Sequence, residues 1–449
     1  MEKIVPEILF DLAQRCSAPL YLVGGSVRDF LAGFEKDEQP DWDICSPASE
    51  DEVLAAASAC GFSARSVFRN TGTVKLEKSG VLCEFTRFRS DKYVRGEHSP
   101  SEIIFTDDIK TDARRRDFTA NAVYYDLKNK TFCDPLGGIK DIENKTLRTV
   151  VAARKVFGED GLRLLRLARI AAQTGFSPDE EALRGAREHA ALIKDIVPER
   201  IYTELDLLLH SDLKHGDTTA PYRGLCILRE TEVLKYILPE LALGDKMEQR
   251  KDFDDHDVLE HSFRAVLYSP PEIRFAALLH DCGKPFCFLR DGKYHGHDEE
   301  GERIAKEILH RLKAPKKLTE QTAALVRLHM RDVKMQMREN GVRKLIVEHY
   351  PLFFDLLKVM QADYSACKDD LSPAPAVVKW KAIYDKMGQE GAPRNLRELN
   401  IDGKTLQALG VPPADTGRVL QELLFFCAYD GTQNTKEKLT QRVLKLYVK

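Results

Sequence analysis

The spacing of apolar residues changes near residue 145, and this change limits the folds open to the chain. Before that point LYLVGG, TVKLEKSG, VLCEFTRFR and NAVYYDL have the composition of strands, and EDEVLAAASACG has helical spacing. After it, apolar residues recur at helical spacing almost throughout, most clearly in GEDGLRLLRLARIAAQTGF. The sequence therefore predicts an α/β head with a small mixed sheet, followed by a mostly α-helical remainder.

Length and composition exclude several classes of protein. The 449 residues, 43% of them hydrophobic, suffice for two to four domains at roughly 100–200 residues each. With a formal charge of −3, a nucleic-acid site has to be a local basic face. The N-terminus lacks the apolar run of a signal peptide, and no segment approaches a membrane span. Ten cysteines without a CxxC pair indicate reduced thiols, so we expect a cytoplasmic protein without membrane association.

The segment YLVGGSVRDFLAG predicts a strand that ends at Gly24 and Gly25, with a helix that begins near Ser26. Glycines let backbone N–H groups approach a phosphate closely, and a helix N-terminus favours an anion. Arg28 can add a bidentate contact to phosphate. By itself such a turn is more often structural than functional.

Two carboxylates, Asp41 and Asp43, follow in PDWDIC. A strand sends alternate side chains to one face, so both would point into the same space. A surface turn explains an isolated DxD; close after the glycine turn, a cation bound beside a nucleoside triphosphate explains it better. Glu84 in VLCEFTRFR is a candidate third carboxylate, and the alternative is an exposed strand residue paired with Arg87 or Arg89.

The segment DARRRDFTANAVYYD adds further polar groups. Arg115 and Arg116 could hold triphosphate charge, and Asp117 and Asn121 have the four-residue spacing of helix neighbours. The alternative is a solvated basic turn followed by a helix cap.

Five motifs now carry a family resemblance. GGSVRD, DWD, RRRDFTANA, DPLGGIKDI and EDGLRLLR occur in the order seen in class II tRNA nucleotidyltransferases, the CCA-adding enzymes, and in their bacterial poly(A) polymerase relatives. The similarity extends through PERIYTELDLLL at 198–209. It implies that Asp41 and Asp43 bind Mg²⁺, and that the chain adds C, C and A to the 3′ end of tRNA from CTP and ATP with release of pyrophosphate.

The segment EDGLRLLRLAR holds the residues expected to read the base. At about 100° per residue on a helix, Asp160 and Arg163 would share one face. Asp accepts hydrogen bonds and Arg donates them, so the pair can imitate the Watson–Crick edge of a base. The resemblance implies that this pair selects CTP and ATP without a template, with Arg166 and Arg169 nearby. The alternative is an intrahelical salt bridge.

The segment 88–105, FRSDKYVRGEHSPSEIIF, resembles the flexible loop of this family. That loop is implicated in the switch from C to A addition. Its presence favours full CCA addition over a CC-adding variant.

The later segments DHDVLEHSFRAVL, RFAALLHDCGKP, YHGHDEEG, LVRLHM and MQADYSAC resemble an HD domain. The resemblance implies a metal site with the minimal ligand set His261, His280, Asp281 and Asp363, which His297 and His329 would extend to two metals. Imidazole with carboxylate suits Mn, Fe, Ni or Mg. Some HD-bearing relatives resemble phosphohydrolases of nucleotide phosphates or cyclic phosphodiesters; the alternative is a degenerate domain kept as a tRNA-binding scaffold.

Four parts follow from these similarities: a nucleotidyltransferase head at 1–145, a helical neck with base recognition at 146–212, a helical body with the HD domain at 213–370, and a helical tail at 371–449. Residues 373–449 contain 12 Lys and Arg against 8 Asp and Glu, a local charge of +4 that fits a tRNA-binding tail. The alternative functions are a poly(A) polymerase, a CC- or A-adding specialist, mainly an HD phosphohydrolase, or a non-catalytic tRNA-binding protein.

Overall fold

The computed structural model describes residues 1–34, 42–93, 100–249 and 254–447. The chain forms two compact units, Met1–Ala242 with Arg311–Ala314, and Leu243–His310 with Pro315–Lys449. Asp41 and the centre of the predicted flexible loop lie outside the described residues. None of the described helices is long and apolar enough to cross a membrane.

The first unit begins with the head sheet. Within the described residues, seven strands pair in the order β3-β4-β5-β2-β1-β8-β9, and β6 and β7 form a separate hairpin. The strands are β1 Tyr21–Leu22, β2 Trp42–Ser46, β3 Ser63–Phe68, β4 Thr73–Lys78, β5 Val81–Arg87, β6 Arg89–Lys92, β7 Glu102–Phe105, β8 Tyr124–Asp126 and β9 Thr131–Cys133. Strands β2 and β5 run parallel, whereas β1 pairs antiparallel with both β2 and β8.

Helices cover the sheet and continue into the neck. Local signals set several ends: Ser49 and Asp179 cap α3 and α8, Pro198 opens α9, and Gly175 ends α7 at a φ of 69°. The helices are α1 Glu7–Arg15, α2 Gly25–Leu31, α3 Glu50–Ala59, α4 Ile109–Arg114, α5 Gly138–Glu143, α6 Ala153–Glu159, α7 Leu162–Thr174, α8 Glu180–His189, α9 Pro198–Leu209, α10 Asp212–His215, α11 Ala220–Glu230, α12 Leu234–Ile237 and α13 Pro239–Ala242. Short strands β10 Thr146–Leu147 and β11 Ser177–Pro178 pair in parallel beside them.

The second unit is helical in its described residues. Its C-terminal helices pack around a small apolar core that includes Leu406, Val419, Leu423, Leu439 and Val443. The helices from α14 onward are α14 Val258–Leu267, α15 Arg274–Leu279, α16 Lys284–Asp291, α17 His297–Arg311, α18 Lys316–Leu328, α19 Glu339–Glu348, α20 Phe353–Lys368, α21 Pro375–Gln389, α22 Gly403–Ala408, α23 Thr416–Tyr429 and α24 Lys436–Leu446. The predicted fold class, an α/β head before a mostly helical remainder, is confirmed.

One local prediction is wrong: Asp160 was expected within a continuous helix, and the helix is interrupted there. Helix α6 ends at Glu159, Asp160 is extended at φ −142° and ψ 106°, and α7 begins at Leu162. A Cβ on Gly161 would lie 2.8 Å from the carbonyl oxygen of Leu192, so the chain passes too close to that backbone for any larger residue. Asp160 and Arg163 therefore do not share a helical face.

The helical spacing predicted for Asp117 and Asn121 is also wrong. Asp117 precedes a 3₁₀ turn over Thr119–Asn121, and Phe118 between them is extended. The two side chains still meet, because Asn121 Nδ2 donates to Asp117 Oδ1 at 3.0 Å. A tight turn therefore brings them together where a helix was expected.

Candidate functional site

A polar cavity of about 380 Å³ in the first unit, here called the head cavity, gathers most of the residues predicted for the head and neck. The predicted residues that line it are Gly24, Gly25, Arg28, Asp43, Arg115, Arg116, Asp117, Asn121, Asp160, Arg163, Arg166 and Arg169. Leu162, Ile170, Gln173, Arg200 and Lys214 also line it, and they were not among the residues predicted for the site. Segments far apart in sequence therefore share one space.

The glycine turn sits directly beside a carboxylate. Gly24 has a φ of +82°, which residues with a side chain rarely adopt, and a Cβ there would lie 3.0 Å from Asp43 Oδ2. The backbone N–H of Val23 donates to the carbonyl oxygen of Asp43 at 3.1 Å, which fixes the turn against β2. Glycine thus keeps space open next to the Asp43 carboxylate.

The described carboxylates of the sheet lie on neighbouring strands. Asp43 is exposed between the buried Trp42 and Ile44, as alternation along β2 requires. In the parallel pair of β2 and β5, Asp43 is directly opposite Glu84. Hard carboxylate oxygens placed side by side suit a divalent cation.

The ion pair of Glu84 differs from the alternative considered for it. Glu84 pairs with Lys75 at 3.1 Å. Arg87 lies over the Phe105 ring, and Arg89 pairs with Asp91. Glu84 therefore faces along the row of strands toward Lys75.

A chain of hydrogen bonds runs through the head cavity. Arg28 Nη1 donates to Asn121 Oδ1 at 2.7 Å, Asn121 donates to Asp117, and Arg166 donates to Asp117 Oδ2 from Nε at 2.8 Å and Nη2 at 2.6 Å. Burial alone would raise the pKa of Asp117, but Arg166 and Asn121 outweigh it and hold that pKa well below its usual range. The network joins the glycine-turn end of the cavity to helix α7.

Arg115 and Arg116 share a buried carboxylate. Arg115 Nε lies 2.7 Å from Asp112 Oδ1, and Arg116 Nη2 lies 3.0 Å from Asp112 Oδ2. Tyr124 also donates its hydroxyl to Asp112 at 2.8 Å. Burial opposes ionisation of Asp112, yet the two guanidinium groups and the hydroxyl lower its pKa to about 2. One positive charge of this cluster thus stays available to an anion in the cavity.

Asp160 and Arg163 both reach the head cavity, and each has a structural partner. Asp160 Oδ1 accepts from the N–H of Leu162 at 3.0 Å. Arg163 donates to the carbonyl oxygens of Val156 and Arg115 at 3.1 and 2.7 Å. Arg163 forms its ion pair with Glu159, at 3.3 Å, and not with Asp160, the partner that the alternative interpretation of this motif required.

Arg169 forms an ion pair with Glu204, a residue that was not predicted to belong to the site. Its Nε lies 2.6 Å from Glu204 Oε2 on α9, and its Nη1 donates to Gln173 at 2.9 Å. Glu204 is buried. Its position as a charged residue on the apolar side of the helix PERIYTELDLLL could have indicated that it has a buried partner.

The second unit contains a separate cluster of imidazoles and carboxylates, which we call the HD cluster. His261 Nε2 lies 3.0 Å from His280 Nε2 and 3.1 Å from Asp363 Oδ1. Asp281 Oδ2 lies 3.3 Å from His280 Nε2. Atoms this close, contributed by α14, the end of α15 and α20, form a set that can hold a metal ion.

Asp281 connects this set to a second one. Its Oδ1 lies 3.3 Å from His297 Nε2 and 3.8 Å from His329 Nε2. The two imidazoles are 3.4 Å apart. All six predicted HD ligands therefore converge, with the Asp281 carboxylate between two potential metal positions.

The far sides of the imidazoles are fixed. The Nδ1 atoms of His280, His297 and His329 contact backbone carbonyl oxygens at 2.6–2.7 Å, and His261 Nδ1 lies 2.7 Å from Asp254. Such outer partners orient the Nε2 atoms as ligands. Asp254 was missed, because it stands outside any recognisable motif. These donor sets fit divalent metal ions.

Three models of known protein families match parts of this chain. The Poly A polymerase head domain matches residues 20–148, the probable RNA and SrmB-binding site of polymerase A matches 175–243, and the HD domain matches 258–361. The predicted HD domain is thereby confirmed.

Similar proteins are known at the level of the whole chain. An A-adding tRNA nucleotidyltransferase of Deinococcus radiodurans is 30% identical over 422 residues, which cover 90% of each chain. A multifunctional CCA protein of Xylella fastidiosa is 33% identical over 328 residues, covering 69% of this chain and 73% of its own.

The fold is also found in solved structures. The Bacillus stearothermophilus CCA-adding enzyme in complex with CTP matches with a TM-score of 0.68 at 23% identity, over 98% of this chain and 96% of its own. The Thermotoga maritima CCA-adding enzyme complexed with tRNA matches with a TM-score of 0.60 at 18% identity, over 99% and 96%. From the extent of the similarity to the Deinococcus radiodurans relative, the chain belongs to the tRNA nucleotidyltransferase and poly(A) polymerase family, with an HD domain in its second half.

Proposed function

We propose that this protein adds C, C and A to the 3′ end of tRNA without a template, taking the nucleotides from CTP and ATP and releasing pyrophosphate. The observation that carries the proposal is the head cavity, where a glycine turn and a carboxylate, a cationic network, and Asp160 with Arg163 line one space. A nucleoside triphosphate presents a polyanion at one end and a base at the other, which matches that order of groups.

The triphosphate end lies at the glycine turn. There the backbone beside Gly24 and Gly25, the guanidinium of Arg28 and the cluster around Arg116 offset phosphate charge. Mg²⁺, held by Asp43 with Asp41 and Glu84, would supply the charge that polarises the α-phosphate and neutralises the leaving pyrophosphate. Positioning and electrostatics then account for most of the catalysis.

The base end lies at the break between α6 and α7. Arg163 is buried and held by backbone carbonyl oxygens, so its remaining donor capacity has a fixed direction. Asp160 supplies an acceptor in the same cavity. A fixed donor and acceptor favour bases with the matching edge, because a mismatched base leaves buried groups unpaired.

The division of labour follows the proposed parts. The head at 1–145 holds the metal and triphosphate, the neck at 146–212 reads the base, and the body at 213–370 carries the HD cluster. The tail at 371–449, together with neighbouring helices, contacts tRNA by shape and backbone phosphates.

We further propose a phosphohydrolase activity for the HD cluster, with a divalent transition metal. Six converging ligands with oriented imidazoles support it. Lys284, in the HDCGK segment, lies 2.5 Å from Asp281 and can balance the charge of a phosphate there.

An A-adding specialist is the second candidate. The similarity over 90% of the chain to an A-adding tRNA nucleotidyltransferase of Deinococcus radiodurans favours it. Poly(A) polymerase is a third, supported by the match of the head alone.

The Asp43→Ala variant tests the proposed site. Loss of a metal anchor should cost several kcal/mol of transition-state stabilisation, which corresponds to a loss of about a thousandfold or more in kcat. Asp51→Ala is the matched control, because Asp51 is an exposed head carboxylate paired with Arg69 outside the head cavity. Both purified variants are assayed with truncated tRNA, CTP, ATP and Mg²⁺. Near-normal turnover by Asp43→Ala, with the fold intact by circular dichroism, would contradict the assignment.

A further inference from the structure

A row of charged side chains crosses the head sheet from the Asp43 carboxylate. Asp43 on β2 is directly opposite Glu84 on β5, and Glu84 is directly opposite Lys75 on β4. Residues directly opposite each other on paired strands share a face of the sheet. The row therefore leads away from β1 and its glycine turn, which lie on the other side of β2.

The row ends at an irregularity in β3. The register between β3 and β4 shifts between Ala64 and Ser66, which leaves Arg65 as the extra residue of a β-bulge. Bulges redirect a side chain out of the regular alternation. Here the redirected residue is a cation on the strand next to Lys75.

These residues surround a second head cavity of about 260 Å³. It is lined by Asp43, Arg65, Lys75, Leu76, Leu82, Cys83 and Glu84. Asp43 is shared with the head cavity, so the two spaces adjoin at the carboxylate. The Leu82 side chain is 49% exposed, which offers an apolar surface at this cavity.

The proposed reaction needs a site for the acceptor, on the side of the α-phosphorus opposite the leaving pyrophosphate. The 3′ oxygen of the acceptor forms the new ester bond to the α-phosphorus while the bond to pyrophosphate breaks. The attacking and leaving oxygens are roughly in line, on opposite sides of the phosphorus. If the triphosphate lies at the glycine turn, the acceptor approaches from the side of Glu84 and Lys75.

We propose that the second head cavity binds the 3′-terminal nucleotide of the acceptor RNA. Lys75 and Arg65 bind the phosphate that precedes this nucleotide, and Leu82 packs against its sugar or base. Adjacent strands are about 4.8 Å apart, so Lys75, two strands from Asp43, stands about 10 Å away, which leaves space for one nucleotide. This inference rests on the proposed function and names residues for its second substrate.

The present partners of the two cations do not prevent this role. Lys75 is 55% exposed and its pair with Glu84 is a surface pair, which contributes little to stability. Arg65 is likewise exposed, in contact with Glu77. Either carboxylate can be exchanged for a phosphate, and release of Glu84 from Lys75 frees it for a metal ion.

The test uses the full-length protein, a tRNA that ends in CC, and ATP. In Lys75→Ala and in Arg65→Ala, KM for the RNA should rise about five- to tenfold, as expected for loss of one charged contact. KM for ATP, and kcat at saturating RNA, should stay within about twofold, and Lys75→Arg should restore most of the RNA affinity. The salt dependence of KM for RNA should fall by about one charge in each variant.

Lys130→Ala is the matched control, because Lys130 is an exposed lysine paired with Glu2 at 2.6 Å, next to β9 at the opposite edge of the sheet. It should leave KM for the RNA unchanged. A tRNA whose last phosphodiester is replaced by an uncharged methylphosphonate should bind more weakly to the wild type and to Lys130→Ala. In Lys75→Ala, the methylphosphonate should weaken RNA binding little further, because the contact to this phosphate is already lost.

The proposal would be overturned by an unchanged KM for RNA in both variants, by a rise in KM for ATP instead, or by independent effects of Lys75→Ala and the methylphosphonate. A fall in kcat with altered Mg²⁺ dependence would also overturn it, since Lys75 would then act through Glu84. A wild-type protein that adds no nucleotide to any RNA would refute the proposed function, and this inference with it.

Discussion

The buried carboxylate of Asp117 holds the centre of the head cavity, and Asp117→Asn removes its charge at nearly constant size. Asp117 Oδ2 accepts two hydrogen bonds from Arg166, at 2.8 and 2.6 Å, and Oδ1 accepts from Asn121 and from the N–H of Phe118. In the variant, one oxygen is replaced by an NH₂ group, which donates and cannot accept. The amide side chain can therefore keep the contacts of one carboxylate oxygen but loses those of the other.

The magnitude follows from burial and hydrogen bonding. Asp117 is 6% exposed, and charge-assisted hydrogen bonds contribute about 1.5–3 kcal/mol each. The Arg166 side chain is 35% exposed, so water offsets part of the loss, and we expect the free energy of unfolding to fall by about 2–3 kcal/mol. For a unit of this size, that lowers the melting temperature by about 5–10 °C.

The difference should depend on pH. The pKa of Asp117 is depressed in the folded protein, so its stabilising effect is complete above the unfolded pKa of about 4 and is lost as the pH falls below it. The gap in stability between wild type and Asp117→Asn should therefore be largest near neutral pH and shrink toward pH 3.

The assay combines thermal unfolding with steady-state kinetics. KM for CTP and for ATP should rise about tenfold or more, because the network that positions Arg28 and Arg166 is cut. Asp332→Asn is the control, since the Asp332 side chain is 1% exposed and lies 2.6 Å from Lys379, in the second unit. It should be destabilised without a change in nucleotide KM. An unchanged melting temperature together with unchanged KM values in Asp117→Asn would refute this reasoning.

Two further predictions concern base choice and the HD cluster. Asp160→Ala and Arg163→Ala should raise incorporation of UTP or GTP relative to CTP and ATP by about tenfold, since each unpaired buried group costs ~1–3 kcal/mol; single-nucleotide incorporation with all four triphosphates measures this, and unchanged selectivity would contradict it. Replacing His280 and Asp281 by Ala should abolish transition-metal binding, measured by metal analysis, but should spare nucleotide addition. The rise in melting temperature that the wild type shows on metal addition should be absent in this variant. A wild type that takes up no metal would contradict the HD site.

The motifs of the head predicted which residues gather, but not how they connect. Gly24, Asp43 and Asn121 come from three motifs and line one cavity, as expected. The contact between Lys75 and Glu84 was not predicted, although it follows from the register of the β4–β5 hairpin. The two-residue turn at Ser79 and Gly80, both at positive φ, fixes that register, whereas the pairing of β5 with β2 joins segments that no local signal connects.

The neck shows why helical spacing can mislead. Apolar residues continue in helical phase through Gly161, yet the helix ends at Glu159, Asp160 is extended, and the backbone of Leu192 packs against Gly161. Tertiary packing of this kind is invisible in a local pattern. In the HD cluster the predicted ligands came from motifs, whereas Asp254, which contacts His261 Nδ1, stands in none.

Sequencing the products of nucleotide addition tests the central claim most directly. Three tRNAs, ending before the CCA, after the first C and after CC, are each incubated with CTP, with ATP and with both. We expect that CTP extends the first two tRNAs to CC and stops, that ATP adds one A to the third, and that both nucleotides together complete CCA on all three. Addition of A alone to the CC-ended tRNA, with no use of CTP on any substrate, would contradict this proposal, as would a run of A residues beyond a completed CCA end.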